Sequence, residues 1–301
     1  LTSVAYAFVG LALAYALARR HWGERVALLA TGLMAVSFWP VFTARIGLRA
    51  ITLPTLETAT LLALSRGLGR PSRPRAWLIA AGACLGLTLY TYTSARVFPA
   101  VPVAWVGLSA LLGRPPVRAR LCTVRGGLLL SLLVALIVFV PLGAFFVRAP
   151  QAANQRIAEL SWTLDAIRSG NLQPLVRNLG LLARMFVTEG DSDVYYNIPL
   201  RPVFAGPLGP ALGLLFFAGI ALCLARPRRP GSLLLLVWLG VMLLPTLLST
   251  GNAILRSIGA LVPVYLLPAL AVDAALSGGS AALRRATALD FARDLLADVG
   301  G

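Results

Sequence analysis

The sequence predicts an all-α fold: a polytopic membrane bundle of about nine transmembrane helices with one long outer loop of interfacial helices. Three observations predict it. Of the 301 residues, 58% are hydrophobic and 13% are charged, with a mean hydropathy of +0.81. Soluble domains carry about 25% charged residues. The apolar residues fall in runs approaching the roughly 20 residues that cross a hydrocarbon layer. The arginines lie between those runs, not along one polar face. No strand-like alternation competes with helices, which satisfy their own backbone groups in lipid.

Taken in order, the expected spans cover about 2–18, 26–44, 51–65, 76–93, 97–112, 127–147, 209–225, 232–249 and 255–272. The third is short and carries Glu57, which makes it the weakest of them. The connections alternate in charge. Arg19, Arg20 and Arg25 form the first rich group, and Arg66, Arg70, Arg73 and Arg75 the second. Arg114, Arg118, Arg120 and Arg125 follow, then Arg226, Arg228 and Arg229, then Arg284 and Arg285. The other short connections hold only Arg45 and Arg49, then Arg96, then Arg256. Short arginine-rich loops stay on the cytoplasmic side. Two regions are therefore expected: a bundle over 1–272 and a cytoplasmic tail over 273–301. The N-terminal end faces outward, as does the long segment 148–208, in a multi-pass protein of the cytoplasmic membrane.

Several function classes drop out. The net charge of +16 comes from arginine alone, with no lysine, and its placement follows membrane topology rather than a nucleic-acid footprint. Cys84 and Cys223 lie in apolar runs, Cys122 lies in a basic connection, and His21 is the sole histidine. That pattern indicates neither a disulfide framework nor a His/Cys metal site. The chain opens at Leu1 within an apolar run, without the charged region that begins a signal peptide, so an upstream continuation is expected.

The positive-inside rule leaves the outer arginines unexplained. Arg45, Arg49, Arg96 and Arg256 either snorkel individually to the interface or form a shared anion site. The guanidinium fork suits phosphate through bidentate, charge-assisted hydrogen bonds. Within 148–208, Ile157, Leu160, Leu164 and Ile167 are spaced for an amphipathic surface helix. Leu175, Leu179, Leu182 and Phe186 are spaced for a second over about 172–187. Glu189, Asp191 and Asp193 then crowd into five positions, weak candidates for a divalent cation or a general base. Tyr90 and Tyr92 sit where an aromatic belt would, just before Arg96. Asn252 and Arg256 flank the start of the last span, where charge costs roughly 2.5–3.5 kcal/mol on insertion scales.

Four segments together carry a resemblance: "SFWPVFTARIGLRAITLPTLE", "GLTLYTYTSARVFP", "GDSDVYYNIPLRP" and "LLPTLLSTGNAILRSIGALVPVY". In this order, over residues 37–265, they resemble the GT-C superfamily of membrane glycosyltransferases. They are most similar to its bacterial dolichyl-phosphate-mannose protein mannosyltransferase-like and aminoarabinose transferase-like members. The resemblance implies transfer of a sugar from a polyprenyl-phosphate donor to a glycan, lipid or protein acceptor at the outer face of the membrane. It implies that Arg45, Arg49, Arg96 and Arg256 hold the donor phosphate. Tyr90, Tyr92, Asp191, Asp193, Asn197 and Asn252 become candidates for the substrate site. No cofactor is implied beyond the weak divalent-cation candidates, and the partners are membrane lipid, the lipid-linked sugar and its acceptor, with no nucleic acid. In this family the general base is an aspartate in the first large outer loop. No residue here matches that position, so the base is expected upstream of Leu1 and the chain is expected to be a fragment. The alternatives are a non-catalytic, degenerate membrane subunit and a secondary transporter. The latter predicts a paired repeat, which the sequence does not show.

Overall fold

The computed structural model describes residues 1–69, 73–113, 115–151, 163, 165–249 and 254–278. Among them, all regular structure is helical. The first interfacial helix expected around Ile157, Leu160 and Leu164, the residues Asn252 and Arg70, and the tail beyond Gly278 lie outside the described residues.

Helix α1 (Thr2–Trp22) ends at Gly23, whose φ of 93° is a left-handed value that glycine adopts without a Cβ clash. Arg19 and Arg20 occupy its last turn, where cations complement the carbonyl end. Helix α2 (Glu24–Val36) meets α3 (Phe38–Arg45) at an angle of 54°. The bend follows from Pro40, which has no N–H to offer the Val36 carbonyl, and from the extended backbone of Ser37. The expected second span is thus a broken one. A 3₁₀ turn (Arg49–Ile51) leads directly into α4 (Thr52–Leu68).

Helix α5 (Pro74–Thr88) stops five residues short of the expected end, because the chain turns there into a 3₁₀ segment (Thr93–Val97) that feeds α6 (Ala100–Leu112). Helix α7 (Pro115–Arg148) runs through 115–126, which the hydropathy pattern had placed in a basic loop. Arg120 explains the difference: its guanidinium donates to the Leu68 and Gly69 carbonyls at the end of α4, so an arginine-bearing turn is held helical against the bundle. Farther on, the Tyr90 hydroxyl enters the α7 backbone beside Pro141. It donates to the Val138 carbonyl at 2.7 Å and accepts from the Leu142 N–H at 3.3 Å. After α8 (Gln173–Val187) come α9 (Gly209–Leu224) and α10 (Pro230–Leu247). A last 3₁₀ turn (Ile254–Ala260) continues as α11 over 261–278, past the expected boundary at 272.

Among the described residues, five segments are long and apolar enough to cross a membrane: Thr2–Trp22, Thr93–Leu112, Pro115–Arg148, Pro230–Leu247 and Ile254–Gly278. The bent α2–α3 pair makes a sixth. The remaining expected spans form helices of 17, 15 and 16 residues, namely α4, α5 and α9. At 1.5 Å per residue the longest of these reaches about 25 Å, short of the about 30 Å hydrocarbon core.

Burial sorts the helices. Segment Ile254–Gly278 is the most enclosed, with Tyr265, Leu267 and Val264 inaccessible, while α7 presents Leu129, Leu133, Leu136, Ile137 and Val140 outward. An all-apolar outer face of this kind suits lipid. Helix α4, the weakest expected span, is a core element. Its Glu57 is fully buried and accepts a hydrogen bond from Trp238 Nε1 at 3.1 Å. Small residues permit the closest approaches. A Cβ on Gly82 would lie 2.1 Å from the Ser131 carbonyl oxygen of α7, and one on Gly219 would lie 2.2 Å from that of Leu267. Gly82 and Gly86 share one face of α5 against α7, as small residues do at tight helix pairs in membranes.

Candidate functional site

Three 3₁₀ turns from distant parts of the chain meet at one end of the bundle. Segment Ile254–Ala260 lies against both Arg49–Ile51 and Thr93–Val97. Each turn carries one of the arginines singled out from the sequence: Arg49, Arg96 and Arg256. Arg45 ends α3 one short turn before Arg49, with Gly47 (φ 74°) reversing the chain between them. The four therefore belong to one end of the molecule. Arg45, Arg49 and Arg96 are exposed there and Arg256 is half-buried. The Arg96 guanidinium lies 5.0 Å from the centre of the Phe146 ring, within cation–π range.

Below this end, α1, α2, α3, α4 and α11 enclose a cavity of about 300 Å³. Its walls are apolar, with Phe8, Leu11, Met34 and Leu261 among them, and Arg45 is the sole charged residue lining it. The Thr55 hydroxyl, also on the wall, donates to the Tyr6 carbonyl at 3.0 Å. An apolar slot with one guanidinium at its edge can accept a hydrocarbon chain that ends in an anion.

The loop after α8 closes over the same end. Its Val203 and Phe204 N–H groups bond to the Met185 and Phe186 carbonyls, and Phe204 packs with Phe186, Phe216 and Tyr265. Asn178 on α8 donates to the Leu247 and Ser249 carbonyls, both at 2.9 Å, which ties the helix to the end of α10. Within the loop, Asp191 is buried at 5% exposure. It accepts from the Asp193 N–H at 3.0 Å and from the Ile254 N–H at 3.3 Å. Burial pushes its carboxyl above the usual aspartate range. The two backbone donors and the charge of Arg256 act in the opposite direction, while the neighbouring Asp193 adds to the rise. The acidic loop and the Arg256 turn are thus joined, although 60 or so residues separate them.

Asn197, buried at 3%, donates to the Asp191 and Arg201 carbonyls and holds the loop closed. Asp193 caps the Tyr195 N–H at 2.9 Å, and Glu189 is exposed. Among the described residues, no three His, Cys, Asp or Glu side chains come together in a way that could hold a metal ion. Tyr92 is half-buried just before the Thr93–Val97 turn, whereas Tyr90 reaches into α7.

One residue escaped the sequence reading. The Arg201 guanidinium stacks on Phe38 of α3 at 4.3 Å, and its Nε is enclosed without a hydrogen-bond partner. The available signal was its place in "NIPLRP", an arginine in a segment whose other charges are acidic. Nothing local showed that this loop folds back onto α3.

Comparison with known proteins finds a family model that matches part of the chain and solved structures that share its fold. Residues 1–145 match the model of the dolichyl-phosphate-mannose-protein mannosyltransferase family. The crystal structure of ArnT from Cupriavidus metallidurans bound to undecaprenyl phosphate matches 90% of the chain at 20% identity, with a TM-score of 0.54. The apo oligosaccharyltransferase of Archaeoglobus fulgidus matches 94% at 18% identity, with a TM-score of 0.53. The same organism's AglB, in complex with an inhibitory peptide and a dolichol-phosphate, matches 93% at 18% identity, with a TM-score of 0.50. At these identities the likeness is one of fold. The chain spans less than half of those proteins: 45% of ArnT and 40% of each archaeal enzyme. No curated protein matches the chain. With its apolar spans and this fold, the chain is an integral membrane protein.

Proposed function

We propose that this chain forms the donor-binding part of a glycosyltransferase that moves a sugar from a polyprenyl phosphate to an acceptor at the outer face of the cytoplasmic membrane. The observation that carries the reading is the apolar cavity edged by Arg45, set beside the meeting point of the turns that bear Arg49, Arg96 and Arg256. The polyprenyl chain lies along the apolar walls. The arginines hold the phosphate, each charge-assisted hydrogen bond contributing about 1.5–3 kcal/mol.

In the transfer step an acceptor hydroxyl attacks the anomeric carbon. A new glycosidic bond forms, the bond from that carbon to the phosphate oxygen breaks, and the configuration inverts. The bonding pair leaves with the phosphate, and guanidinium groups already in position stabilise that growing charge. The hydroxyl proton passes to a base; we assign that role to neither Asp191 nor Asp193, because both carboxylates serve the loop backbone. The Arg45 end of the bundle faces outward in this reading, as does the start of α1, and the arginine-rich end faces the cytoplasm. That matches the positive-inside pattern. The presence of a polyprenyl phosphate in the ArnT structure and of a dolichol-phosphate in the AglB structure supports the substrate class.

Transfer from a polyprenyl-phosphate-linked sugar, assayed in membranes carrying the Arg45→Ala or the Arg256→Ala protein, tests the assignment. Each substitution is expected to abolish transfer while membrane insertion is unchanged. Wild-type turnover in either variant removes that arginine from the donor site.

A further inference from the structure

We propose a second anion site at the opposite end of the bundle, one that takes the phosphate of an anionic phospholipid headgroup. Two adjoining cavities open there, of about 640 and 770 Å³, and both are lined by Arg20, His21 and Pro230. Arg120 lines the first; Arg226 and Arg229 line the second. The one acid on either wall is Asp273, and it forms no ion pair among the described residues.

The polar groups around the first cavity ask for a hydrogen-bonding ligand. His21 and Ser109 both line it, and their Nε2 and Oγ atoms are enclosed without a hydrogen-bond partner. Enclosed polar atoms without partners are uncommon and call for an explanation such as a bound group. Arg20 spends one nitrogen on the Ser65 carbonyl at 2.9 Å, which leaves most of its five N–H donors to the cavity. The side chains of Arg226 and Arg229 make no hydrogen bond or ion pair among the described residues and are exposed at the rim. Several guanidinium groups suit the oxygens of a phosphate and would repel a cation.

The surroundings favour a lipid as its source. Trp22 and Trp105 flank His21, with ring centres 5.2 and 6.0 Å away, and tryptophan gathers at the headgroup level of membranes. Leu68, Val117 and Leu121 supply apolar wall beside the charges. Basic pockets between transmembrane helices are where anionic headgroups bind. This site lies at the far end of α1 and α4 from Arg45 and does not depend on the transfer reading.

The test uses the chain in phosphatidylcholine nanodiscs with and without phosphatidylglycerol, with retained lipid counted by native mass spectrometry. Arg226 and Arg229 hold no part of the fold, so the Arg226→Gln/Arg229→Gln protein should assemble normally. Arg75→Gln/Arg125→Gln removes the same charge from the same end but from neither cavity. Phosphatidylglycerol retention is expected to fall about tenfold or more in the first variant, as loss of charge-assisted bonds implies, and less than twofold in the second. Equal losses in both, or none in either, would overturn the proposal. So would stabilisation by inorganic phosphate that needs Arg226 and Arg229 while phosphatidylglycerol has no effect, because the source would then be soluble. Polyprenyl-phosphate binding at the Arg45 end is expected to be unchanged in both variants, so the two sites are read separately.

Discussion

Asp191 and Glu57 are both buried carboxyl side chains, and their partners give them different work. Asp191 joins the loop after α8 to the Arg256 turn through the Ile254 N–H. Its carboxyl is raised above the ordinary aspartate value of 3.8, chiefly by burial. A carboxyl raised on folding favours the folded state below that ordinary value, and the contribution is lost as pH climbs through the raised one. The native protein should therefore lose stability relative to Asp191→Asn as pH rises above 3.8, read by thermal unfolding across acidic to neutral buffers. Parallel curves for the two proteins would show that Asp191 does not titrate as described. Glu57, by contrast, ties α4 to α10 through Trp238. Glu57→Ala strands the buried indole N–H and is expected to cost about 1–3 kcal/mol, whereas Glu57→Gln keeps an acceptor and should cost clearly less. Equal losses on thermal unfolding would mean that the hydrogen bond contributes little.

At the scale of elements, close helix approaches set the arrangement. Gly82→Val pushes a side chain into the Ser131 carbonyl of α7, where no flexible group can yield, and should cost about 1–3 kcal/mol or more. Gly126→Ala, within α7 but with nothing inside 4 Å of the new methyl, should stay within about 1 kcal/mol of the parent. Thermal melts of the two in one detergent check the contrast. The helices themselves were legible because apolar length marks them whatever packs around them: all nine expected segments are helical. Three features were not. Glu57 reads as a defect in a span until Trp238, 181 positions away, turns out to be its partner. The bend at Ser37 depends on a proline whose effect hydropathy averages away. The start of α7 carries arginines that resemble a loop, and only the α4 carbonyls that Arg120 caps show otherwise.

Across the whole molecule, the two classes of arginine seen in the sequence are separated by the fold. The described arginines of the rich connections gather at the Arg20 end, where Arg20 and Arg120 cap α4. Arg45, Arg49, Arg96 and Arg256 gather at the other. The sequence carried which arginines were unusual; it could not carry their meeting, because three turns about 45 to 205 residues apart are brought together by packing alone. Arg201 was missed for the same reason.

In the proposed function, the Arg45 end binds a phosphate on a hydrocarbon chain. The most direct measurement is retention of undecaprenyl phosphate against undecaprenol by the purified protein in native mass spectrometry, repeated with Arg45→Ala. The phosphate form should be preferred at least tenfold, with the preference largely lost in the variant, as expected when a charge-assisted bond worth about 1.5–3 kcal/mol is removed. Equal retention of the phosphate and the alcohol by the native protein, or an undiminished preference in Arg45→Ala, would contradict it.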